Sequence, residues 1–144
     1  MFVYLITNSI TNLNSILIYN DKILGFKRKP SKNKYTSCKY EFPGGKVKKN
    51  EKIQDTLRRE IKEELDLDLG KTTLFFQNDY TYPEFSVSLH FYISRLNKLN
   101  FSLKEHIEFK TLEAKDLRTV DWLLADYPVI KYIEGNTSLL KELI

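Results

Sequence analysis

The chain of 144 residues is 42% hydrophobic and 29% charged, with five glycines and four prolines. That composition excludes a disordered or collagen-like chain and fits a single domain over residues 1–144. The net charge of +4 is unevenly spread: residues 22–62 hold 14 basic and four acidic side chains, so the remainder is net acidic. A basic segment of this kind suits an anionic partner, whether nucleic acid, a membrane surface or a phosphorylated small molecule. Cys38 is the one cysteine and cannot build an internal disulfide framework, so a reducing, cytoplasmic setting is expected. No apolar run is long enough to span a membrane, and no membrane partner is expected.

In chain order, Phe2 to Thr7 is apolar and β-prone and reads as a strand, not a signal peptide, with Asn8-Ser9 as a turn. Ser15 to Tyr19 and Lys22 to Lys27 flank Asn20-Asp21, so 14–28 is expected to form a hairpin. Pro30 to Lys39 is a lysine-rich loop, and Tyr40 to Pro43 is a short extended segment that Gly44-Gly45 should interrupt. From Lys52 to Leu65 the period becomes helical, with Ile53, Leu57, Ile61 and Leu65 on one apolar stripe. Thr73 to Tyr82 and Phe85 to Ser94 return to strand character. In the second, Val87, Leu89, Phe91 and Ile93 alternate with polar neighbours. A short strand is expected at Ile107 to Thr111, a helical turn at Glu113 to Leu117, and a C-terminal helix with Pro128 in its first turn. The class is α+β, a mixed sheet with one central and one C-terminal helix.

The central helix carries three carboxylates, Glu60, Glu63 and Glu64, within five residues. They span an arc of roughly 100° beside the apolar stripe, which puts them at the margin of a core. Like charges three and four residues apart repel, so a cation should compensate them. Two sources fit: the flanking Arg58, Arg59 and Lys62 on a solvated face, or a hard divalent ion such as Mg²⁺ or Mn²⁺.

The surrounding spacing favours the second source. Gly45, five residues, Glu51, seven residues, then Arg59-Glu60-Ile61-Lys62-Glu63-Glu64-Leu65-Asp66-Leu67 resembles the Nudix box, G-x5-E-x7-R-E-U-x-E-E-x-G-U, with U a bulky aliphatic. The one departure is Asp66 in place of the late glycine. That position is expected to be a left-handed helix cap, which Asp tolerates at modest cost. The preceding Glu41-Phe42-Pro43-Gly44-Gly45-Lys46 resembles the entry of MutT-type members. Tyr80 to Pro83, Lys104-Glu105-His106 and Asp121 to Val129 resemble later family segments in the same order.

The resemblance implies a Nudix-type α/β/α sandwich around a mixed β-sheet and metal-dependent hydrolysis of a (deoxy)nucleoside triphosphate to monophosphate and pyrophosphate. It implies Mg²⁺, or Mn²⁺, held by Glu60, Glu63, Glu64, Glu105 and the carbonyl of Gly44. Arg59 would orient the carboxylates with support from Glu51, and either Glu60 or Glu105 would be the general base. Arg28 and Lys46 are expected at the phosphates, although a solvated strand end is the rival reading for Arg28. Asp126 falls where relatives place Asn or Asp against the base, or it caps the last helix. Phe85 is expected in the core or lining a base pocket, and neither His90 nor His106 is expected to be catalytic. The implied partner is a nucleotide such as 8-oxo-dGTP or a cytidine nucleotide, with no stable nucleic-acid complex and a monomer or homodimer. A Nudix hydrolase of another diphosphate such as ADP-ribose, or a non-catalytic nucleotide-binding module, is the alternative.

Overall fold

One long strand organises the computed structural model, which describes residues 9–142. This strand, β1 (Ser9–Tyr19), pairs in parallel with β6 (Ser86–Arg95), from Ser9 opposite Ser86 to Ile18 opposite Arg95. Its other edge pairs antiparallel with β2 (Lys22–Lys27) beyond Ile18 and with β4 (Gly44–Lys46) around Leu13. β3 (Tyr40–Glu41) and β7 (Glu108–Leu112) add to β2, and β5 (Thr73–Thr81) closes the far edge on β6. The result is a seven-stranded mixed sheet.

Helices cover both faces. Alternate residues of β1 face opposite ways, so Leu13 and Leu17 pack with Leu24 and Phe26 beneath α1 (Ile53–Leu65). Ile16 and Ile18 face the other side, where Phe91, Ile93 and Trp122 meet Val129, Ile130 and Ile133 of α2 (Tyr127–Gly135). The short α3 (Thr137–Glu142) adds Leu140 to that layer. A strand buried on both faces needs a continuous apolar run, and Ile16-Leu17-Ile18 supplies it. This is the α/β/α sandwich expected from the sequence. Among the described residues, no helix is long and apolar enough to cross a membrane.

Four local expectations need correction or fall outside the description. The Phe2 to Thr7 strand and Asn8 lie outside the described residues, and Ser9, expected in a turn, already pairs with Ser86. β1 therefore begins six residues before Ser15, where the strand is expected to start. Its Asn12 and Asn14 are held in the strand by backbone pairing to β6 on one side and β4 on the other. Gly44-Gly45 does not interrupt the extended chain but forms β4, with Gly44 opposite Asn14 and Gly45 opposite Leu13. Ile53 leaves the apolar stripe: it is exposed at the first turn of α1, and the buried face is Thr56, Leu57, Ile61, Glu64 and Leu65.

Asp66 closes α1 as expected. Its backbone is left-handed, with φ 51° and ψ 42°, and its N–H donates to the Lys62 carbonyl at 3.0 Å. The exposed ion pair from Lys62 Nζ to Asp66 Oδ1, at 3.2 Å, offsets little of the backbone cost. Asp66→Gly is expected to stabilise the fold by about 0.5 kcal/mol in urea denaturation, because glycine adopts this conformation without a Cβ penalty. A lower midpoint for the glycine variant would show that the ion pair outweighs the backbone term.

Candidate active site

Burial of one face of α1 determines how its carboxylates are presented. Leu57, Ile61 and Leu65 seat the helix on the sheet. Glu64, three residues after Ile61 and beside Leu65, is carried down with them and is only 6% exposed. Glu60, one turn earlier, is half-buried, and Glu63 points outward.

β4 forms the floor beneath this face. The Gly44 N–H donates to Glu64 Oε2 at 2.9 Å. At Gly45 a Cβ would stand 2.3 Å from Glu60 Cδ, so the carboxylate occupies the space any larger residue would need. Arg59 ties the helix to the preceding loop. Its guanidinium grips Glu51 with Nε at 2.7 Å and Nη2 at 3.0 Å. The same group donates to Glu60 Oε1 at 2.8 Å, to Glu63 at 3.4 Å and to the Lys46 carbonyl at 3.2 Å. This bidentate grip holds the Glu51 carboxyl down at about 2, below its ordinary value.

The loop between β6 and β7 supplies the opposite wall. Its backbone is bound to α1 by Ser102 N–H to the Leu65 carbonyl (2.8 Å) and Lys104 N–H to the Glu64 carbonyl (3.0 Å). Ile107 N–H then bonds the Lys27 carbonyl at 2.9 Å. Between these points stands Glu105, exposed and close enough to raise the proton affinity of both Glu60 and Glu64. A cleft of about 390 Å³ opens here, lined in part by Arg28, Glu41, Glu64, Lys104, Glu105 and His106.

Two of these residues stand outside the expected site: Glu41 enters only as the first residue of the Glu41 to Lys46 segment, and His106 is not expected to be catalytic. Glu41, on β3, accepts from Arg28 Nη1 at 3.0 Å and from His106 Nε2 at 2.8 Å. Candidate ligand atoms of Glu41, Glu64 and His106 lie within 4.8 Å of one another. The available signals were the glutamate opening the Glu41 to Lys46 segment and the histidine adjoining Glu105.

Other expected residues lie apart from this cleft. Lys46 is exposed and engages Arg59 through its carbonyl only. Lys27, the neighbour of Arg28 at the end of β2 and not itself an expected site residue, pairs with Glu108 at 3.7 Å. Phe85 is not core: it is exposed and stacks on Tyr82 with ring centroids 4.9 Å apart. Asp126 immediately precedes α2 but makes no side-chain cap, so the capping role is not realised. Its carboxylate is instead buried, with Oδ2 unpartnered. Burial and the Glu41 charge raise its proton affinity well above the ordinary range, against the Phe42 amide and Arg28.

The donor set fits a divalent cation. Burial first, then the charges of Glu41, Glu60 and Glu105, push the Glu64 carboxyl up to about 9, against the pull of the Gly44 amide. Burial likewise raises Glu60, helped by Glu63 and Glu105 and opposed by Arg59. Hard oxygens crowded so closely that each resists ionisation of the next are relieved by a doubly charged ion among them.

A glycine-floored, glutamate-rich cleft on an α/β/α sandwich is the arrangement of a MutT-like Nudix hydrolase. Residues 14–132 match the NUDIX domain, and the chain belongs to that family. It is 34% identical over 111 residues, 77% of its own length, to an 8-oxo-dGTP diphosphatase of Buchnera aphidicola subsp. Acyrthosiphon pisum, covering 90% of that protein. A second 8-oxo-dGTP diphosphatase, from Buchnera aphidicola subsp. Schizaphis graminum, is 34% identical over 72% of this chain and 76% of its own. Among solved structures, the MutT protein of Methanosarcina mazei superposes with a TM-score of 0.76 at 18% identity, covering 90% of this chain and 95% of that one. The E. coli ORF135 protein gives 0.74 at 21% identity, with 86% and 87% covered.

Glu64 leads to a signed pH dependence. From its ordinary 4.5 up to about 9, folded metal-free protein keeps a proton that the unfolded chain releases. The contribution of Glu64 to stability is therefore complete below 4.5, declines as pH rises and levels off above about 9. Urea midpoints in chelator are expected to fall with pH more steeply for wild type than for Glu64→Gln. Parallel curves for the two proteins would remove Glu64 as the titrating group.

Proposed function

We propose that the protein hydrolyses a (deoxy)nucleoside triphosphate to the monophosphate and pyrophosphate, and that its substrate is 8-oxo-dGTP, with a cytidine nucleotide as the second choice. The observation that carries this reading is the 34% identity to an 8-oxo-dGTP diphosphatase over most of both chains. The 144 residues act as one domain.

Glu60, Glu63, Glu64, Glu105 and the Gly44 carbonyl would hold Mg²⁺, or Mn²⁺ in its place. When bound, such an ion would supply positive charge to the polyphosphate and lower the cost of deprotonating the attacking water. Arg59 fixes Glu60 and Glu63 against repulsion, anchored in turn by Glu51. Arg28, already on the cleft wall, meets the phosphates, and Lys46 reaches them from the adjoining strand. Glu105 or Glu60 removes the proton from the attacking water as the new phosphorus–oxygen bond forms and pyrophosphate leaves. The buried Asp126, whose surroundings disfavour its ionised form, turns its unpartnered Oδ2 to the base, and Phe85 with Tyr82 lines the base side. These roles are supported by the carboxylate crowding at Glu60 and Glu64 and by the unpartnered Asp126 oxygen.

The test is turnover with Mg²⁺ on 8-oxo-dGTP, dGTP, CTP, dCTP and ADP-ribose, with products separated by ion exchange. 8-oxo-dGTP is expected to give the highest kcat/KM, with pyrophosphate as coproduct. Glu64→Gln is expected to lose at least about 100-fold, the upper end of what removing a mere supporting contact to a metal ligand costs. A preference for ADP-ribose, or equal rates for wild type and Glu64→Gln, would overturn the reading.

Asp126→Ala is expected to lower kcat/KM for the preferred nucleotide by about 10- to 100-fold, the effect of leaving one buried hydrogen bond unmade. The loss should be smaller for a nucleotide whose base Asp126 does not bond. An equal loss across all bases would assign Asp126 to the fold instead.

A further inference from the structure

The family pattern and the carboxylate cluster leave one buried polar contact unexplained. His106 is 6% exposed, with its ring 5.5 Å from that of Phe26. Its Nε2–H donates to Glu41 Oε2 at 2.8 Å, while Glu41 Oε1 accepts from Arg28 at 3.0 Å. A continuous chain of hydrogen bonds thus runs from Arg28 on the cleft wall, through Glu41, to the residue beside Glu105.

That chain bears on Glu105 because the Glu105 carboxylate has no anchor of its own. Among the described residues, no side chain or amide hydrogen-bonds it, so the backbone that carries it sets its position. That backbone is tied at Lys104 to the Glu64 carbonyl (3.0 Å) and at Ile107 to the Lys27 carbonyl (2.9 Å). Between these two ties, the His106 side chain is the link into the core. A neutral packing role would require only the contact with Phe26. A directed N–H to a buried carboxylate that also holds Arg28 requires a hydrogen-bond donor at this point, which packing alone does not.

We propose that His106 is a positioning residue: through Glu41 it fixes the 104–107 turn so that Glu105 stands over Glu60 and Glu64, and it holds the carboxylate that presents Arg28 to the cleft. This rests on the reading of Glu105 as a metal ligand.

The experiment compares Mn²⁺ binding by titration calorimetry, without nucleotide, in full-length wild type and three variants. Glutamine at this position can place an amide N–H where the imidazole Nε2–H lies. Asparagine is too short, and leucine fills the space without donating. His106→Leu and His106→Asn are each expected to weaken Mn²⁺ binding about tenfold, the usual effect of losing a contact that orients a metal ligand. His106→Gln should stay within about threefold of wild type, because the hydrogen bond is restored. In turnover, the Mg²⁺ concentration for half-maximal rate should rise in the same order, with nucleotide KM moving less than kcat.

Unaltered Mn²⁺ affinity in His106→Asn would overturn the proposal, as would His106→Gln as impaired as His106→Leu. Circular dichroism checks that each variant is folded, and the polar Gln and Asn pair decides the matter if leucine is not tolerated. Wild type that binds Mn²⁺ but cleaves none of the triphosphates would sink the substrate reading and leave this one standing. Wild type that binds no Mn²⁺ overturns this one.

Discussion

The constraint on which the rest of the structure depends is the burial of one glutamate against a sheet. Glu64 sits among Ile61, Leu65 and the strand below, with Glu41, Glu60 and Glu105 around it. An isolated carboxylate so placed would simply stay protonated. This one accepts from the Gly44 amide and faces three more carboxylates, an arrangement that becomes favourable once a divalent cation joins it. The fold is built to keep several like charges close together, and its local features follow from that requirement.

The glycines are the clearest example. At Gly44 a Cβ would fall 1.9 Å from the Leu13 carbonyl oxygen, and at Gly45 it would fall inside the Glu60 carboxylate. Gly44 lets β4 lie close against β1, and Gly45 leaves room for the Glu60 carboxylate of the helix above β4. Arg59 acts in the same sense from the solvent side, by spanning Glu51, Glu60 and Glu63 with one guanidinium. The basic segment of residues 22–62 is thereby divided. Part of it is consumed internally, as with Arg59 on Glu51 and Lys27 on Glu108, while Arg28 stays at the cleft.

How much could be read from the chain depended on how local each signal was. The helix over 53–65, the hairpin at Asn20-Asp21 and the alternating strand after Phe85 were legible because periodicity and turn residues act over a few positions. The spacing of Gly45, Glu51 and Arg59 to Glu64 was legible because the helix presents them in fixed order. The first half of β1 was not, since Asn12 and Asn14 look like loop residues until partners on both edges satisfy their backbone. β4 is hidden for the same reason, and Ile53, on the apolar stripe by spacing, stands exposed at the first turn of the helix.

The sequence by itself determined the α+β order of elements and the run of glutamates, because these rest on short-range pattern and fixed spacing, and the resemblance of that spacing to the Nudix box implied the family and its sandwich. Tertiary structure alone decided which carboxylates meet. Glu41, Glu64 and His106 are far apart in the chain, yet they converge because β3, α1 and the loop before β7 pack around one cleft. It also decided that Asp126 is a buried acid with one unpartnered oxygen and not a helix cap, and that Phe85 stacks on Tyr82 instead of entering the core. Burial and desolvation are properties of packed neighbours, and no spacing along the chain encodes them.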